Sequence, residues 1–352
     1  MDAPANRFSA NFAWFAEQGI KMTNYFGVTH PSQPNYIASI AGDYFGLVSD
    51  GHASLPANVS TVVDLLESRN ISWAHYQEDM PYTGFQNESY TNPHGKPDYV
   101  RKHNPAIHFD NVVMNEDRLN QIKNFSCIDT SRSLFHADLA ADRLPQWMFI
   151  TPNMTSDGHN SNIKTAGEWA RGFLGPLLEE PKFMNNTLVL ITWDEAEITS
   201  QRPNHILAVL IGDAIPTELV GTKDDSFYTH YSSIATVSAN WDLPTLGRWD
   251  VGANVYQWVG NKTGDTIRSW TNMSNFENHY YATAYAGFLN TRSNNTQLPK
   301  PNLALEPSFG GRYILQSIKD MWANSDAPTY YTDSIEVADG RNPPAEYECR
   351  DC

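Results

Sequence analysis

Three stretches of the chain are continuously apolar and have the length of a β-strand. They are Trp147–Thr151, Leu188–Trp193 and Ile206–Ile211. A strand whose residues are all apolar is covered on both faces, which is typical of the central strands of a parallel sheet. Apolar residues at helical spacing between the first two stretches predict a helix over about residues 165–178. The pattern therefore predicts an α/β fold with a mainly parallel sheet.

The first eighty residues also alternate between helix and strand. Phenylalanines three and four residues apart predict a helix over Phe8–Gln18 that ends at Gly19. The segment Ile20–Tyr25 is then a strand. A second helix is expected over Ser60–Ser68, capped by its first residue, and a second strand over Ile71–Tyr76. These are successive βα units, which again favour a parallel sheet.

The segment Thr29–Gly42 is expected to be a turn that leads into a short helix. Ser32 is a natural N-cap, Pro34 stands in the first turn where a missing N–H costs nothing, and Gly42 is a natural C-cap. This would place the Ser32 hydroxyl at the positive end of a helix, where backbone N–H groups favour an anion such as phosphate. From this segment alone, Ser32 is either a simple cap or a reactive hydroxyl.

Polar side chains follow two of the apolar stretches, at the end where a ligand crevice forms in an open parallel sheet. Asp157 and His159 come after the first stretch, and Asp194 and Glu195 come directly after the second. Carboxylates next to a buried strand are costly unless a cation or hydrogen bonds neutralise them. The alternatives are local: Asp194 as the N-cap of a turn, and the 157–159 segment as an Asx-turn with a surface histidine.

Three further segments carry candidate chemistry. The polar stretch 79–112 is predicted to be a long loop. It contains three adjacent side chains that can be cationic, Arg101, Lys102 and His103. These side chains are either solvated or face a phosphate. His230 opens a predicted helix that ends near residue 239, whereas His205 begins a strand at the wrong end for the crevice and is interpreted as structural.

Composition narrows the possible partners. With 352 residues and 41% hydrophobic content the chain can build a substantial core. It has no run of eighteen apolar residues, so no transmembrane segment is expected. A net charge of −16 argues against nucleic acid as a partner, since phosphate backbones bind basic faces.

Nine Asn-x-Ser/Thr sequons predict N-linked glycans and hence a secreted, extracellular or cell-wall protein. They begin at Asn58, Asn70, Asn87, Asn124, Asn153, Asn185, Asn261, Asn272 and Asn294. The first residues, Met1–Arg7, contain no apolar core and do not form a signal peptide. The expectation is therefore that this is a trimmed copy of a secreted protein.

Several strings together resemble a known family. THPSQPNYIA at residues 29–38, KHNP at 102–105, THYS at 229–232 and TVSANWDLPTLGR at 236–248 are similar to secreted fungal acid phosphatases. Those enzymes are members of the phosphoesterase family, within the alkaline-phosphatase-like superfamily. The resemblance implies a three-layer α/β/α sandwich and a metal-dependent phosphomonoesterase that acts on small phosphate esters.

The resemblance also implies roles for individual residues. Ser32 would be the nucleophile, in preference to the rival hydroxyls of Thr29 and Ser39. The other assignments are His103 and His159 as catalytic residues, Asn35, Lys102 and His103 as substrate-binding residues, and Asp194, Glu195, Asp157 and His230 as metal ligands. The cofactor would be one or two divalent ions, with Zn, Mn, Fe, Mg and Ca all open.

The expected domain organisation is a catalytic domain over residues 1–270 and an extension over 271–352. The spacing of apolar residues predicts one helix in the extension, Arg312–Trp322, followed by a proline-rich acidic tail. Relatives begin with a strand that supplies metal ligands ahead of Phe8, so this chain is expected to lack it. Two alternatives stay open: a phosphodiesterase or phospholipase C-type hydrolase on the same core, and a catalytically impaired glycoprotein of the same fold.

Overall fold

The computed structural model describes residues 9–197, 204–269, 287–290, 297–305 and 311–335. In chain order the strands are β1 (Ile20–Phe26), β2 (Trp73–Glu78), β3 (Ser89–Thr91), β4 (Pro97–Val100), β5 (Ile122–Phe125), β6 (Trp147–Thr151), β7 (Val189–Thr192), β8 (His205–Ile211) and β9 (Lys223–Thr229). The helices are α1 (Ala10–Glu17), α2 (Ser32–Ala41), α3 (Val62–Glu67), α4 (Asp110–Val113), α5 (Glu116–Leu119), α6 (Leu134–Ala140), α7 (Ile163–Leu177), α8 (Pro181–Met184), α9 (His230–Asn240), α10 (Gln257–Thr263) and α11 (Gln316–Trp322). The fold is α/β, as predicted.

The described residues divide into two compact units. The first contains the described residues as far as Thr23, together with Ile71–Thr192 and Leu207–Asp224. The second contains Asn24–Asn70, Trp193–Ile206 and the described residues from Asp225 onward. The predicted boundary near residue 270 lies outside the described residues, so that division stays a prediction.

In the first unit, β2 lies at the centre of a parallel sheet with the order β5-β2-β6. All six residues of β2 are buried. The His75 ring lies in the middle of this strand and stacks on Phe149, with their ring centroids 5.4 Å apart. This sheet therefore confirms the predicted parallel βα arrangement.

The three apolar stretches have different environments. β8 has six buried residues out of seven and is an interior strand in the order β7-β8-β1-β9, as the pattern predicted. The expectation of a central parallel strand was wrong for β7, which ends this order and pairs antiparallel with β8. β6 is the last strand in the order β5-β2-β6, and four of its five residues are only half-buried. Continuous apolarity does not by itself distinguish an end strand from a central one.

In the second unit, aromatic side chains pack around a buried carboxylate. Tyr330 and Tyr331 both donate their hydroxyls to Asp43 Oδ2, at 3.0 and 2.6 Å. The Tyr331 ring also packs edge-on against Trp249. The predicted C-terminal helix is shorter than expected and runs from Gln316 to Trp322. The tail beyond residue 335 lies outside the described residues.

The helix termini correct one predicted cap and confirm another. Gly42 has the left-handed backbone (φ 73°) that a C-cap requires, and its N–H donates to Ala38. Ser60 is not the cap of α3. That role belongs to Thr61, which forms a capping box with Asp64. Within the described part of the chain, no helix has the length and apolarity of a membrane span.

Candidate active site

Ser32 is the first residue of α2, and its hydroxyl faces a carboxylate. The prediction that Ser32 is the N-cap was wrong by one residue, because Pro31 occupies that position and no side chain caps the helix. The Ser32 hydroxyl instead donates to Glu195 Oε1 at 2.9 Å, and Ser32 is 7% exposed. A serine beside a carboxylate that can accept its proton is the arrangement of an activated nucleophile.

The two rival hydroxyls have backbone partners. The Thr29 hydroxyl donates to the carbonyl of His30 at 3.4 Å, and the Ser39 hydroxyl donates to the carbonyl of Tyr36 at 2.7 Å. The latter is the usual bond of a serine inside a helix. Among contacts between described residues, the Ser32 hydroxyl is the one of the three that donates to a carboxylate.

The start of α2 offers fewer backbone donors than the sequence suggested. Pro34 has no N–H, and the N–H of Gln33 donates to Asp50 Oδ1 at 3.0 Å. Two of the first three helical positions therefore present no backbone N–H to an anion. An oxyanion at this end of the helix would depend more on side chains than the helix-terminus argument implies.

His30 is a site residue that sequence reasoning missed. Its Nδ1 pairs with Glu195 Oε2, so the carboxylate lies between the His30 ring and the Ser32 hydroxyl. The His30 Nε2 is buried and has no hydrogen-bond partner in the part of the chain that is described. The only signal was its position in the string that carries Ser32, since its partner is 165 residues away.

The Asn35 side chain holds the segment that carries His30 and Ser32. Its Oδ1 accepts from the N–H groups of Val28 (2.8 Å) and Thr29 (3.2 Å). Its Nδ2 donates to the carbonyls of Thr29 (2.8 Å) and Pro31 (3.1 Å). These bonds give Asn35 a positioning role in the described structure, and its assignment to substrate binding stays a prediction.

The segment 194–196 is fixed by Asn204, a second residue that sequence reasoning missed. Asn204 Oδ1 accepts from the N–H of Ala196 at 2.8 Å, and its Nδ2 donates to the carbonyl of Thr29 at 2.8 Å. Gly27 allows this close approach, since a Cβ there would lie 2.7 Å from both Asn204 Nδ2 and the carbonyl oxygen of Asp194. The end of β1, the serine turn and the carboxylate segment are thus tied together.

His230 lies at the start of α9, as predicted, with Thr229 as the cap. Its ring is buried, and its Nε2 is 2.6 Å from the backbone carbonyl oxygen of Asp194. Burial lowers the pKa of His230, and the hydrogen bond to this carbonyl opposes the shift. The observed contact is therefore with the backbone of Asp194 and not with its carboxylate.

The remaining predicted residues form a separate group in the first unit. His103 Nδ1 lies 3.1 Å from Asp157 Oδ2, and both side chains are almost fully buried. Lys102 Nζ lies 3.1 Å from His159 Nε2. The rings of His103 and His159 are 5.6 Å apart. The structure thus brings together four residues predicted from two distant segments.

Asn153 and Glu78 form hydrogen bonds that hold the backbone next to this group. The Asn153 side chain accepts from the N–H groups of Thr155 and Ser156, and its Nδ2 donates to Asp79 Oδ2 at 2.7 Å. The N–H of Asn153 donates to Glu78 Oε2 at 2.8 Å. Burial raises the pKa of Glu78. The Asx-turn considered for this segment is also present, since the N–H of His159 donates to Asp157 Oδ1.

As they are arranged, the side chains of Glu195 and His230 are directed at protein groups and not at a metal site. Both oxygens of Glu195 face protein donors, and His230 Nε2 faces a backbone carbonyl. Across the described ranges, no three His, Cys, Asp or Glu side chains lie close enough together to share an ion. The predicted ligand set of Asp157, Asp194, Glu195 and His230 therefore stays a prediction.

The chain is similar in sequence to a known protein family and to several characterised proteins. The sequence model of the phosphoesterase family matches residues 6–244. The chain is 47% identical to the "Probable acid phosphatase" of Kluyveromyces lactis, over 97% of this chain and 80% of that protein. It is 48% identical to the "Acid phosphatase" of Aspergillus fumigatus, over 91% of this chain and 69% of that protein.

Among solved structures, a protein of the alkaline phosphatase superfamily from Vibrio parahaemolyticus matches with a TM-score of 0.39 and 13% identity. The match covers 65% of this chain and 59% of that one.

Proposed function

The chain belongs to the phosphoesterase family, and we propose that it is an acid phosphatase that hydrolyses small phosphate monoesters through a phosphoserine formed on Ser32. Family membership supports the reaction class. The observation that carries the mechanism is the 2.9 Å hydrogen bond from the Ser32 hydroxyl to Glu195.

In the first step, Ser32 Oγ attacks phosphorus while its proton passes to Glu195. A P–O bond to Oγ forms and the ester P–O bond breaks, so that the alcohol leaves as an alkoxide or phenolate that takes up a proton. In the second step a water molecule attacks phosphorus, the P–Oγ bond breaks and the serine hydroxyl is restored. The proton then leaves Glu195, and each turnover consumes one water molecule and releases inorganic phosphate.

The roles of Lys102, His103, Asp157 and His159 are proposed from the resemblance. His103 and His159 are proposed to be catalytic residues, and Lys102 and His103 to bind the substrate. In the first unit, Lys102 Nζ lies 3.1 Å from His159 Nε2, and His103 Nδ1 lies 3.1 Å from Asp157 Oδ2. A cationic side chain such as that of Lys102 would favour the binding of a phosphate ester.

Dependence on a divalent cation is a separate part of the proposal, and no step written above requires one. Asp194 and Glu195 are the carboxylates that would contribute ligands, and Glu195 would have to give up its contacts with His30 and Ser32 to do so. The identity of the ion is open. Secretion with N-linked glycans is likewise proposed, from the sequons and from the resemblance.

The decisive experiment compares Ser32→Ala with Ser39→Ala, which removes a hydroxyl from the same helix. We expect Ser32→Ala to lower kcat for an aryl phosphate by about three powers of ten or more, and Ser39→Ala to leave it nearly unchanged. Acid quenching during turnover, followed by peptide mass spectrometry, should find phosphate on Ser32. Near-normal activity of Ser32→Ala would exclude this nucleophile. Faster cleavage of an aryl phosphodiester than of the monoester would instead favour the phosphodiesterase alternative.

A further inference from the structure

Glu78 is a buried carboxylate at the carboxyl end of β2, 3% exposed, and the proposed mechanism does not use it. We propose that Glu78 is a positioning residue, which holds the segment 153–159 in the place where it contacts His103. Within that segment, Asp157 is the partner of the His103 ring. This inference rests on the catalytic roles proposed for His103 and His159.

The two oxygens of Glu78 face two different donors. Oε2 accepts from the backbone N–H of Asn153 at 2.8 Å, and Oε1 accepts from the indole N–H of Trp169 at 2.9 Å. The hydroxyl of Ser156 and the thiol of Cys127 also face this carboxylate. A backbone amide and an indole N–H can only donate, so each of them needs an acceptor at this place. The carboxylate thus joins the end of β2 to the start of the segment and to α7.

Hydrogen bonds within the segment carry this anchoring on to Asp157. The side chain of Asn153 accepts from two backbone N–H groups of the segment. The carbonyl of Asn153 accepts from the N–H of Asp157 at 2.8 Å, and Asp157 Oδ1 accepts from the N–H of His159 at 2.7 Å. Asn153 is therefore the base of this turn, and its own N–H is held by Glu78.

The residue after Glu78 brings a second carboxylate to the same asparagine. Adjacent residues of a strand point to opposite faces of the sheet. Asp79, however, has a left-handed backbone (φ 54°), which aspartate adopts more readily than most residues. Its Oδ2 accepts from Asn153 Nδ2 at 2.7 Å. Replacement of Glu78 leaves this contact in place, so the segment should shift without being released.

A need for stability alone does not account for a carboxylate at this position. A buried carboxylate is unfavourable unless hydrogen bonds replace its hydration, and an apolar side chain avoids that cost. An apolar side chain would leave the N–H of Asn153 without the acceptor that Glu78 provides. The carboxylate therefore acts on the position of the segment that begins at Asn153.

Glu78→Gln and Trp169→Phe, alone and together, test the proposal. Glutamine has one oxygen and one NH₂ group at its end, so it can accept from Asn153 or from Trp169 but not from both. We expect Glu78→Gln to lower kcat for an aryl phosphate by about 10–100-fold, because the segment is displaced from its productive position. The exposed Glu168→Gln, on α7, is the control and should keep its kcat.

Trp169→Phe should restore activity to the glutamine variant. Phenylalanine can keep the stacking on Phe173 and removes the competing donor. In the double variant, the NH₂ group of the glutamine can face the phenylalanine while its oxygen accepts from Asn153. We therefore expect kcat of the double variant to return nearly to that of Trp169→Phe alone. A kcat no higher than that of Glu78→Gln would overturn the proposal.

Kinetics measured well below the lowest Tm separate positioning from stability, because every variant is then folded. A purely structural role of Glu78 would lower Tm and leave kcat unchanged, and that result would overturn the proposal. If Glu78→Gln does not fold, Glu78→Gln and Glu78→Met are compared in the Trp169→Phe background. Only the glutamine offers an acceptor to Asn153, so it should give the higher kcat, and equal values would overturn the proposal.

Ser32→Ala and His103→Ala are measured in parallel, so that the ideas can fail separately. Activity retained by Ser32→Ala would exclude the proposed nucleophile, and the Glu78 variants decide the role of Glu78 in either case. Loss of activity in His103→Ala together with full kcat in Glu78→Gln would exclude the role of Glu78 alone. Full activity of His103→Ala would overturn the roles of both His103 and Glu78 and leave that of Ser32 standing.

Discussion

The Ser32 hydroxyl and the Glu195 carboxylate are 163 residues apart in the chain and meet in a 2.9 Å hydrogen bond. Neither residue is fully exposed, so the bond exists in a partly desolvated environment, where it is stronger than in water. This relationship links the predicted serine turn to the predicted carboxylate segment. In the proposed mechanism, this bond makes Glu195 the acceptor of the Ser32 proton.

Glu195→Gln should lower kcat by about 10²–10⁴-fold and leave KM for an aryl phosphate nearly unchanged. The amide keeps the size of the side chain but cannot take the proton from Ser32. Steady-state kinetics with the exposed Glu197→Gln as control measure this effect. An unchanged kcat in Glu195→Gln would show that another group accepts the proton.

Asp194→Asn tests the second part of the proposal, metal dependence. If the carboxylate is a ligand, bound metal and activity should fall together, and excess divalent cation should restore part of the activity. Chelation of the unmodified enzyme should lower activity in the same way. If Asp194 only caps a turn, the substitution should cost about 1 kcal/mol of stability and leave kcat unchanged at saturating substrate and metal.

The sequence predicted the local elements of the site better than their contacts. The helix after Ser32 starts within one residue of its predicted position and ends at Gly42, because caps and prolines act over a few residues. The partner of Ser32 was not predictable by such arguments, since a hydrogen bond across 163 residues depends on the whole sheet. His30 and Asn204 were missed for the same reason.

The positions of strands in the sheets were also predicted only in part. The interior position of β8 was predicted correctly, since Ile206–Ile211 is apolar and buried. β7 has an equally apolar sequence, yet it is a half-buried strand antiparallel to β8. Strand direction and position in a sheet follow from the connections between strands, and hydrophobicity along one strand does not encode them.

The sequons differ in accessibility, which predicts unequal glycosylation. Asn70, Asn87, Asn185 and Asn261 are exposed. Asn153 is 8% exposed, and its amide nitrogen, the atom that a glycan would modify, donates to Asp79. A glycan on Asn153 would remove a donor and add bulk to a buried position.

We therefore expect glycopeptide mass spectrometry of the protein, expressed through a eukaryotic secretory pathway, to find glycans at exposed sequons and none at Asn153. Thr155→Ala destroys the Asn153 sequon without changing the asparagine, and it should leave the total glycan mass unchanged. Thr187→Ala does the same for the exposed Asn185 and should lower it. A glycan found on Asn153 in active protein would contradict the structural assignment.

His75 makes the first unit sensitive to acid. The ring is fully buried in the central strand β2, and the aromatic rings packed against it belong to Trp73, Trp147 and Phe149, none of which carries charge. Neither ring nitrogen has a hydrogen-bond partner in the described residues. Burial lowers the pKa of His75 to about 3.

The direction of the resulting pH dependence follows from linkage. The unfolded chain binds a proton at His75 with a pKa of about 6.5, whereas the folded protein binds it only near pH 3. The native state keeps its full stability with respect to this group above about pH 6.5. Between these two values, acid favours the unfolded state by about 1.4 kcal/mol for each pH unit.

His75→Phe should remove this dependence, because phenylalanine keeps the aromatic packing and has no proton to bind. Acidification from about pH 6.5 to pH 4.5 should lower the free energy of unfolding of the unmodified protein. The decrease should be about 2–3 kcal/mol smaller in His75→Phe. Urea unfolding at both pH values measures the difference, and the exposed His94→Gln serves as the control for loss of a histidine. If His75→Phe and His94→Gln lose stability equally on acidification, the pKa of His75 is not lowered in the folded protein. Its burial would then have to be relieved by local opening of the sheet around β2.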